Sequence, residues 1–213
     1  MIGAVIFDCD GVVVDSEAMS FDLLAANLAV HGLDLPRPVL EAELLGGTMR
    51  DVWTRARALG ARLPEDWVDS FYVQLYARLA EGTPLIPGIL NVLNALDAVD
   101  LPYAMGSNGS DAKMQITLGQ HPGLLARFQG RMFSGQTLGC PKPAPGLYLH
   151  CARVLGVDPA RCVVIEDSPT GAQAARAAGM RCFGYAPQDG EALARAGAVL
   201  FSDMADLPGL LGV

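Results

Sequence analysis

Short runs of apolar, largely β-branched residues recur along the chain at 2–7, 103–105, 131–133, 162–165, 182–185 and 198–201. Between most of them lie Ala/Leu-rich stretches of helical length. Few architectures accept this alternation. Strands buried on both faces read as continuously apolar, and strands joined through helices run parallel. The expected fold is therefore α/β, a doubly wound parallel sheet with helices on both faces.

Helix ends are marked by a repeated pattern, as in Arg57-Ala58-Leu59-Gly60, Arg153-Val154-Leu155-Gly156, Arg176-Ala177-Ala178-Gly179 and Arg195-Ala196-Gly197. Each sets a cation in the last turn, where it meets the negative end of the helix dipole, and a glycine where the backbone turns left-handed. One region breaks the alternation. From Asp15 to about Gly82 no strand-like run occurs, and Phe21, Leu24, Ala25 and Leu28 keep helical spacing. Gly46-Gly47 and Pro64 interrupt it, so several helices joined by turns are expected. Thr83-Pro84-Leu85-Ile86-Pro87-Gly88 reads as a rigid return. The predicted division is a core of 1–14 with 83–213 and an inserted all-helical domain of 15–82.

With 213 residues, 51% of them hydrophobic and 18% charged against about 25% in average domains, the chain can bury a full core. Its net charge of -8, with no Lys/Arg run, argues against nucleic acid or an anionic membrane as partner. Five cysteines, at 9, 140, 151, 162 and 182, form no Cys-x-x-Cys pair and have no histidine at zinc spacing; reduced thiols in a cytoplasmic protein are expected. The apolar start lacks a basic leader and meets Asp8 too early for a signal peptide or membrane span.

In open α/β sheets the site forms beyond the carboxyl ends of the strands. After the first run stands Asp8-Cys9-Asp10-Gly11, after the second Ser107-Asn108-Gly109, and after the fourth Glu166-Asp167-Ser168. Pro141-Lys142-Pro143 follows the third by a loop. If these ends converge, four carboxylates share one cleft and repel one another. A hard divalent cation with oxygen ligands neutralises them, and Mg2+ suits a site that also takes phosphate oxygens. Lys142 adds a second positive charge.

These segments resemble, in order, the four motifs of the haloacid dehalogenase superfamily of phosphotransferases, and they span nearly the whole chain. The resemblance implies a Rossmann-like core, an inserted helical cap, a Mg2+ cofactor and a small phosphorylated metabolite as substrate. Asp8 is implied as nucleophile toward phosphorus, and Asp10 as the acid that protonates the leaving oxygen and then activates water. Ser107, with backbone N–H groups near Cys9 and Asn108, would hold phosphoryl oxygens, while Lys142 would link phosphate and Asp8. Asp8, Asp167 and the Asp10 carbonyl would ligate the metal, with Glu166 acting directly or through water.

Blander readings stand beside these. Asp8 and Asp10 are also turn or helix-cap residue types, and Glu166-Asp167-Ser168-Pro169 suits a helix N-terminus. Cys9 points away from its two acidic neighbours, and His31, His121 and His150 lie outside every motif. An acid at Asp10 favours phosphate esters over dehalogenation or phosphonate cleavage, as the superfamily is patterned. Gly46-Gly47-Thr48-Met49-Arg50 resembles the cap loop that dips toward substrate, making Gly47 and Arg50 candidate substrate contacts, although Arg50 equally suits plain solvent exposure. The β-phosphoglucomutases are a close alternative, but this chain has Ser20 where they carry a cap histidine, and Arg50 matches their arginine only with a one-residue offset. Ser107-Asn108-Gly109, Lys113-Met114-Gln115 and Phe133-Ser134-Gly135 are similar instead to bacterial 6-phosphogluconate phosphatases. A non-catalytic sensor of phosphorylated ligands is the alternative from another class. The expected state is a monomer or dimer.

Overall fold

The computed structural model describes residues 1–44 and 48–213, so Gly47 lies outside the described residues. In chain order, β1 (Ala4–Phe7) precedes four helices, α1 (Glu17–Val30), α2 (Arg37–Leu44), α3 (Met49–Ala58) and α4 (Trp67–Ala80). Then come α5 (Ile89–Ala98), β2 (Tyr103–Ser107), α6 (Asp111–Gly119), α7 (Leu124–Arg127), β3 (Met132–Ser134) and α8 (Gly146–Leu155). The chain continues through β4 (Cys162–Glu166), α9 (Pro169–Ala177), β5 (Arg181–Tyr185), α10 (Glu191–Arg195), β6 (Val199–Phe201) and α11 (Leu207–Leu211). Two compact units result, Met1–Asp15 with Thr83–Val213, and Ser16–Gly82.

The larger unit holds one sheet in the order β3-β2-β1-β4-β5-β6, parallel at every pairing. From β1 the chain winds outward through β2 to β3, then returns to β4 on the other side of β1. The carboxyl ends of β1 and β4 thus flank the point where the winding reverses, the place where α/β sheets open a crevice. Side chains alternate across the sheet as a strand requires. Val5, Phe7, Val163 and Ile165 join a core with Val92, Leu96 and Met114 of α5 and α6. Ala4, Ile6 and Val164 face the opposite core with Tyr148, Ala152 and Ala175 of α8 and α9. Each fully buried large side chain among them contributes about 1.5–3 kcal/mol.

Strand ends differ from the sequence expectation by one or two residues. Both β2 and β4 run on through Ser107 and Glu166, because the ladder to their neighbours, Ser107↔Ser134 and Glu166↔Gly184, outweighs weak local preference. Helix stops follow the glycine pattern, with φ of 69° at Gly156 and 74° at Gly179.

Among its described residues the smaller unit contains helices and no strand. Phe21, Leu24 and Leu28 of α1 are buried, as are Trp67, Phe71 and Leu75 of α4. Trp67 stacks on Phe71 and donates its indole N–H to Asn27 at 2.7 Å. Thr48 and Asp51 close a reciprocal capping box at the start of α3. Among the described residues no helix is long and apolar enough to cross a membrane.

Candidate active site

Asp8 stands one residue beyond β1, its N–H donating to the Ile165 carbonyl at 2.9 Å, so the ladder places it opposite the end of β4. Glu166 closes β4, and Asp167 follows. One oxygen from each of Asp8, Glu166 and Asp167 lies within 4.8 Å of the others. Three carboxylates at such distances repel strongly unless cations intervene.

The first cation is Lys142. Its ammonium reaches Asp8 Oδ1 at 2.5 Å and Glu166 Oε1 at 2.6 Å, from a side chain only 4% exposed. Tyr148 of α8 donates its hydroxyl to the same Glu166 oxygen at 2.7 Å, and the Lys142 ammonium lies 5.1 Å from its ring centroid. The other Glu166 oxygen accepts the N–H groups of Asp167 and Ser168 and the Ser168 hydroxyl. Glu166 is therefore a fully bonded buried carboxylate that anchors Lys142.

Electrostatics follow from this packing. Burial pushes Asp8 up to about 7, Lys142 opposes that rise, and Glu166 and Asp10 reinforce it. Burial also pushes Glu166 upward, but Lys142 and the hydroxyl of Tyr148 more than offset it and hold the carboxyl below its ordinary value. Lys142 is destabilised as a cation by burial, yet Asp8 and Glu166 raise its affinity for the proton. Two carboxylates held together by one lysine, with Asp167 beside them, form an oxygen-only donor set that suits a hard divalent ion.

The second cation is Lys113 of α6, whose ammonium sits 2.8 Å from Asp10 Oδ1. Asp10 lies in a tight turn in which Gly11 N–H donates to the Val14 carbonyl. Gly11 has φ of 77°, and a Cβ there would fall 1.9 Å from Asp167 Oδ2, so only glycine lets Asp167 approach. Ser107 is 1% exposed, its hydroxyl accepting the N–H of Gly109 at 2.9 Å. Asn108 uses its side chain to clamp the Lys142 backbone, donating to the carbonyl at 3.1 Å and accepting the N–H at 2.8 Å.

The structure thus brings together Asp8, Lys142, Glu166 and Asp167, with Asp10 one turn away. Cys9 is 1% exposed and packs in the core. Arg50 belongs to the helical unit, where its guanidinium lies 4.4 Å over the Trp53 ring. Two residues were given no role in the site by the sequence, although Lys113 stood in one of the segments that carry the resemblance. Tyr148 sits in an apolar stripe with Leu147, Cys151 and Ala152, so nothing in the spacing singles out its hydroxyl. Lys113 carried a signal, a lysine in the first turn of a helix where the dipole disfavours cations.

Residues 2–179 match the family described as haloacid dehalogenase-like hydrolase. The chain belongs to that family. Among its relatives, the 6-phosphogluconate phosphatase of Escherichia coli is 30% identical over 183 residues, covering 85% of this hydrolase and 81% of that enzyme. A phosphoglycolate phosphatase of Chromobacterium violaceum is 34% identical over 198 residues, with 87% of each chain covered. Among solved structures, a family hydrolase from Deinococcus radiodurans with bound phosphate and sodium superposes with a TM-score of 0.82 at 32% identity, covering 99% of this chain and 95% of that one.

Proposed function

We propose that this hydrolase is a Mg2+-dependent phosphatase that cleaves a small phosphorylated metabolite, a sugar or sugar-acid phosphate, through an aspartyl-phosphate at Asp8. The carrying observation is the cluster of Asp8, Glu166 and Asp167 around the buried ammonium of Lys142. The clustered carboxylates of Asp8, Glu166 and Asp167 outnumber the Lys142 ammonium by two charges, the excess that a divalent cation balances. Asp8 and Asp167 would hold the ion directly with the Asp10 carbonyl, and Glu166, already fully bonded, through water. When bound, Mg2+ supplies charge that draws the phosphoryl group in and stabilises its transfer.

Chemistry then falls to the chain's own residues. An Asp8 oxygen bonds to phosphorus as the ester P–O bond breaks, and Asp10 gives its proton to the departing oxygen. Water, losing a proton to Asp10, next attacks the same phosphorus, releasing phosphate and restoring Asp8. Lys142 faces the phosphoryl oxygens and screens their charge from the nucleophile. Ser107 and backbone N–H groups near Cys9 and Asn108 complete the cradle. Substrate choice is assigned to the helical unit, Ser16–Gly82, with Gly47 and Arg50 as contacts. Arg50 is stacked on Trp53 and bound to no carboxylate among the described residues. The phosphatase names of the relatives support this substrate class.

A mutase reading is weaker. Ser20, standing where a mutase carries histidine, donates its hydroxyl to the Ser16 carbonyl at 2.7 Å, a bond spent on its own helix. The deciding experiment is a screen of 6-phosphogluconate, phosphoglycolate and hexose phosphates with Mg2+. Turnover absent from an Asp8→Asn control supports the reading; no turnover of any ester above that control would favour a binding-only sensor.

A further inference from the structure

We infer that Lys113 is a positioning residue for the leaving-group step, its ammonium holding one oxygen of the Asp10 carboxyl and so fixing the rotation of the group that hands over the proton. The inference rests on the phosphatase reading, which makes Asp10 the acid. Three observations carry it, and none concerns the metal.

Lys113 Nζ lies 2.8 Å from Asp10 Oδ1, with the two side chains only 17% and 19% exposed. Water therefore screens the pair poorly, and the contact is directional as well as attractive. Lys113 also sits where a lysine is unfavourable. It occupies the first turn of α6, its own N–H capped by Ser110, so the positive end of the helix and partial burial both act against its charge. A residue that breaks local preference in this way marks a site where the fold yields to function. Finally, the pair is packed against Gly109. A Cβ at Gly109 would press on Ser107 Oγ at 3.1 Å and lie in ordinary contact with Lys113 Cδ at 3.4 Å and Asp10 Oδ2 at 3.6 Å, so lysine, acid and serine all pack around this one residue.

With a cation on Oδ1, a proton on the carboxyl is more stable on Oδ2, which becomes the donor to the ester oxygen. Without the cation the carboxyl turns freely and donates from fewer of its orientations. The loss then falls on esters whose leaving oxygen needs the proton. p-Nitrophenolate departs almost unaided, whereas phenolate, a stronger base, does not.

The experiment compares kcat/KM, which reports the steps through formation of the phosphoenzyme, for phenyl phosphate and p-nitrophenyl phosphate with Mg2+. The ratio of the two is independent of how much of a variant folds. Lys113→Met should lower the phenyl ester about tenfold more than the nitrophenyl ester, moving in the direction of Asp10→Asn. In an Asp10→Asn background the added loss should fall below about twofold, because the two residues act as a unit. Equal losses on both esters, or losses that multiply in the double variant, would overturn the role of Lys113 while leaving the phosphatase standing. Failure of the wild-type enzyme on both esters would overturn the phosphatase reading itself.

Discussion

At the residue scale, Asp8 ties stability to pH. Burial raises its proton affinity from 3.8 to about 7, so between these values the native state keeps a proton that the unfolded chain has lost. This group's contribution to stability is therefore complete below the lower value and declines as pH rises through the upper one. Metal-free protein should show that decline in thermal unfolding, and Asp8→Asn should flatten it. Added Mg2+ competes with the same proton, so it should raise the melting temperature more near pH 8 than near pH 5; an equal rise at both would contradict the assignment. Tyr148→Phe keeps the ring beside Lys142 but removes the hydroxyl bond to Glu166. The expected cost is about 1–3 kcal/mol, read as a lower urea midpoint, with a fall in turnover as Lys142 loosens. Asp10→Asn should slow hydrolysis by about 10² to 10⁴, and an unchanged rate would remove it from the mechanism.

At the element scale, the first turn of α9 is built against the last residue of β4. A Cβ at Gly171 would lie 1.7 Å from Glu166 Oε1, closer than any real contact, so Gly171→Ala must displace the carboxylate from Lys142. Breaking that buried pair should cost about 3–5 kcal/mol and most of the activity. Gly209→Ala in α11 meets open space and should alter stability by no more than about 1 kcal/mol, which thermal unfolding of the two variants side by side would show. Much of this scale was legible beforehand. The strands announced themselves as apolar runs, and the turn residues after β1 and β4 held the acidic motifs. The extension of β2 and β4 through Ser107 and Glu166 was not legible, since Gly106, Ser107 and Glu166 are indifferent strand formers held by their neighbours. Neither were the needs for Gly11 and Gly171, because each answers to a carboxylate about 150 residues away or across a helix turn.

At the scale of the whole molecule, an acidic chain with net charge -8 must attract an anionic substrate. The fold resolves this by setting its two lysines, buried Lys142 and half-buried Lys113, beside the carboxylates at the carboxyl end of one sheet. Chelation should therefore abolish turnover and lower the melting temperature, with both restored by Mg2+; activity undiminished by chelator would exclude the metal. Sequence alone determined the alternation of strand and helix, the helix stops and the identity of the acidic strand ends, because burial periodicity and left-handed glycine act over a few residues. Only the tertiary structure decided which of these groups meet. Lys142 and Asp8 stand 134 residues apart, and their contact, like those of Tyr148 with Glu166 and Lys113 with Asp10, depends on the order of strands in the sheet. Local spacing carries no record of that order, since every arrangement of the same strands would bury the same apolar faces.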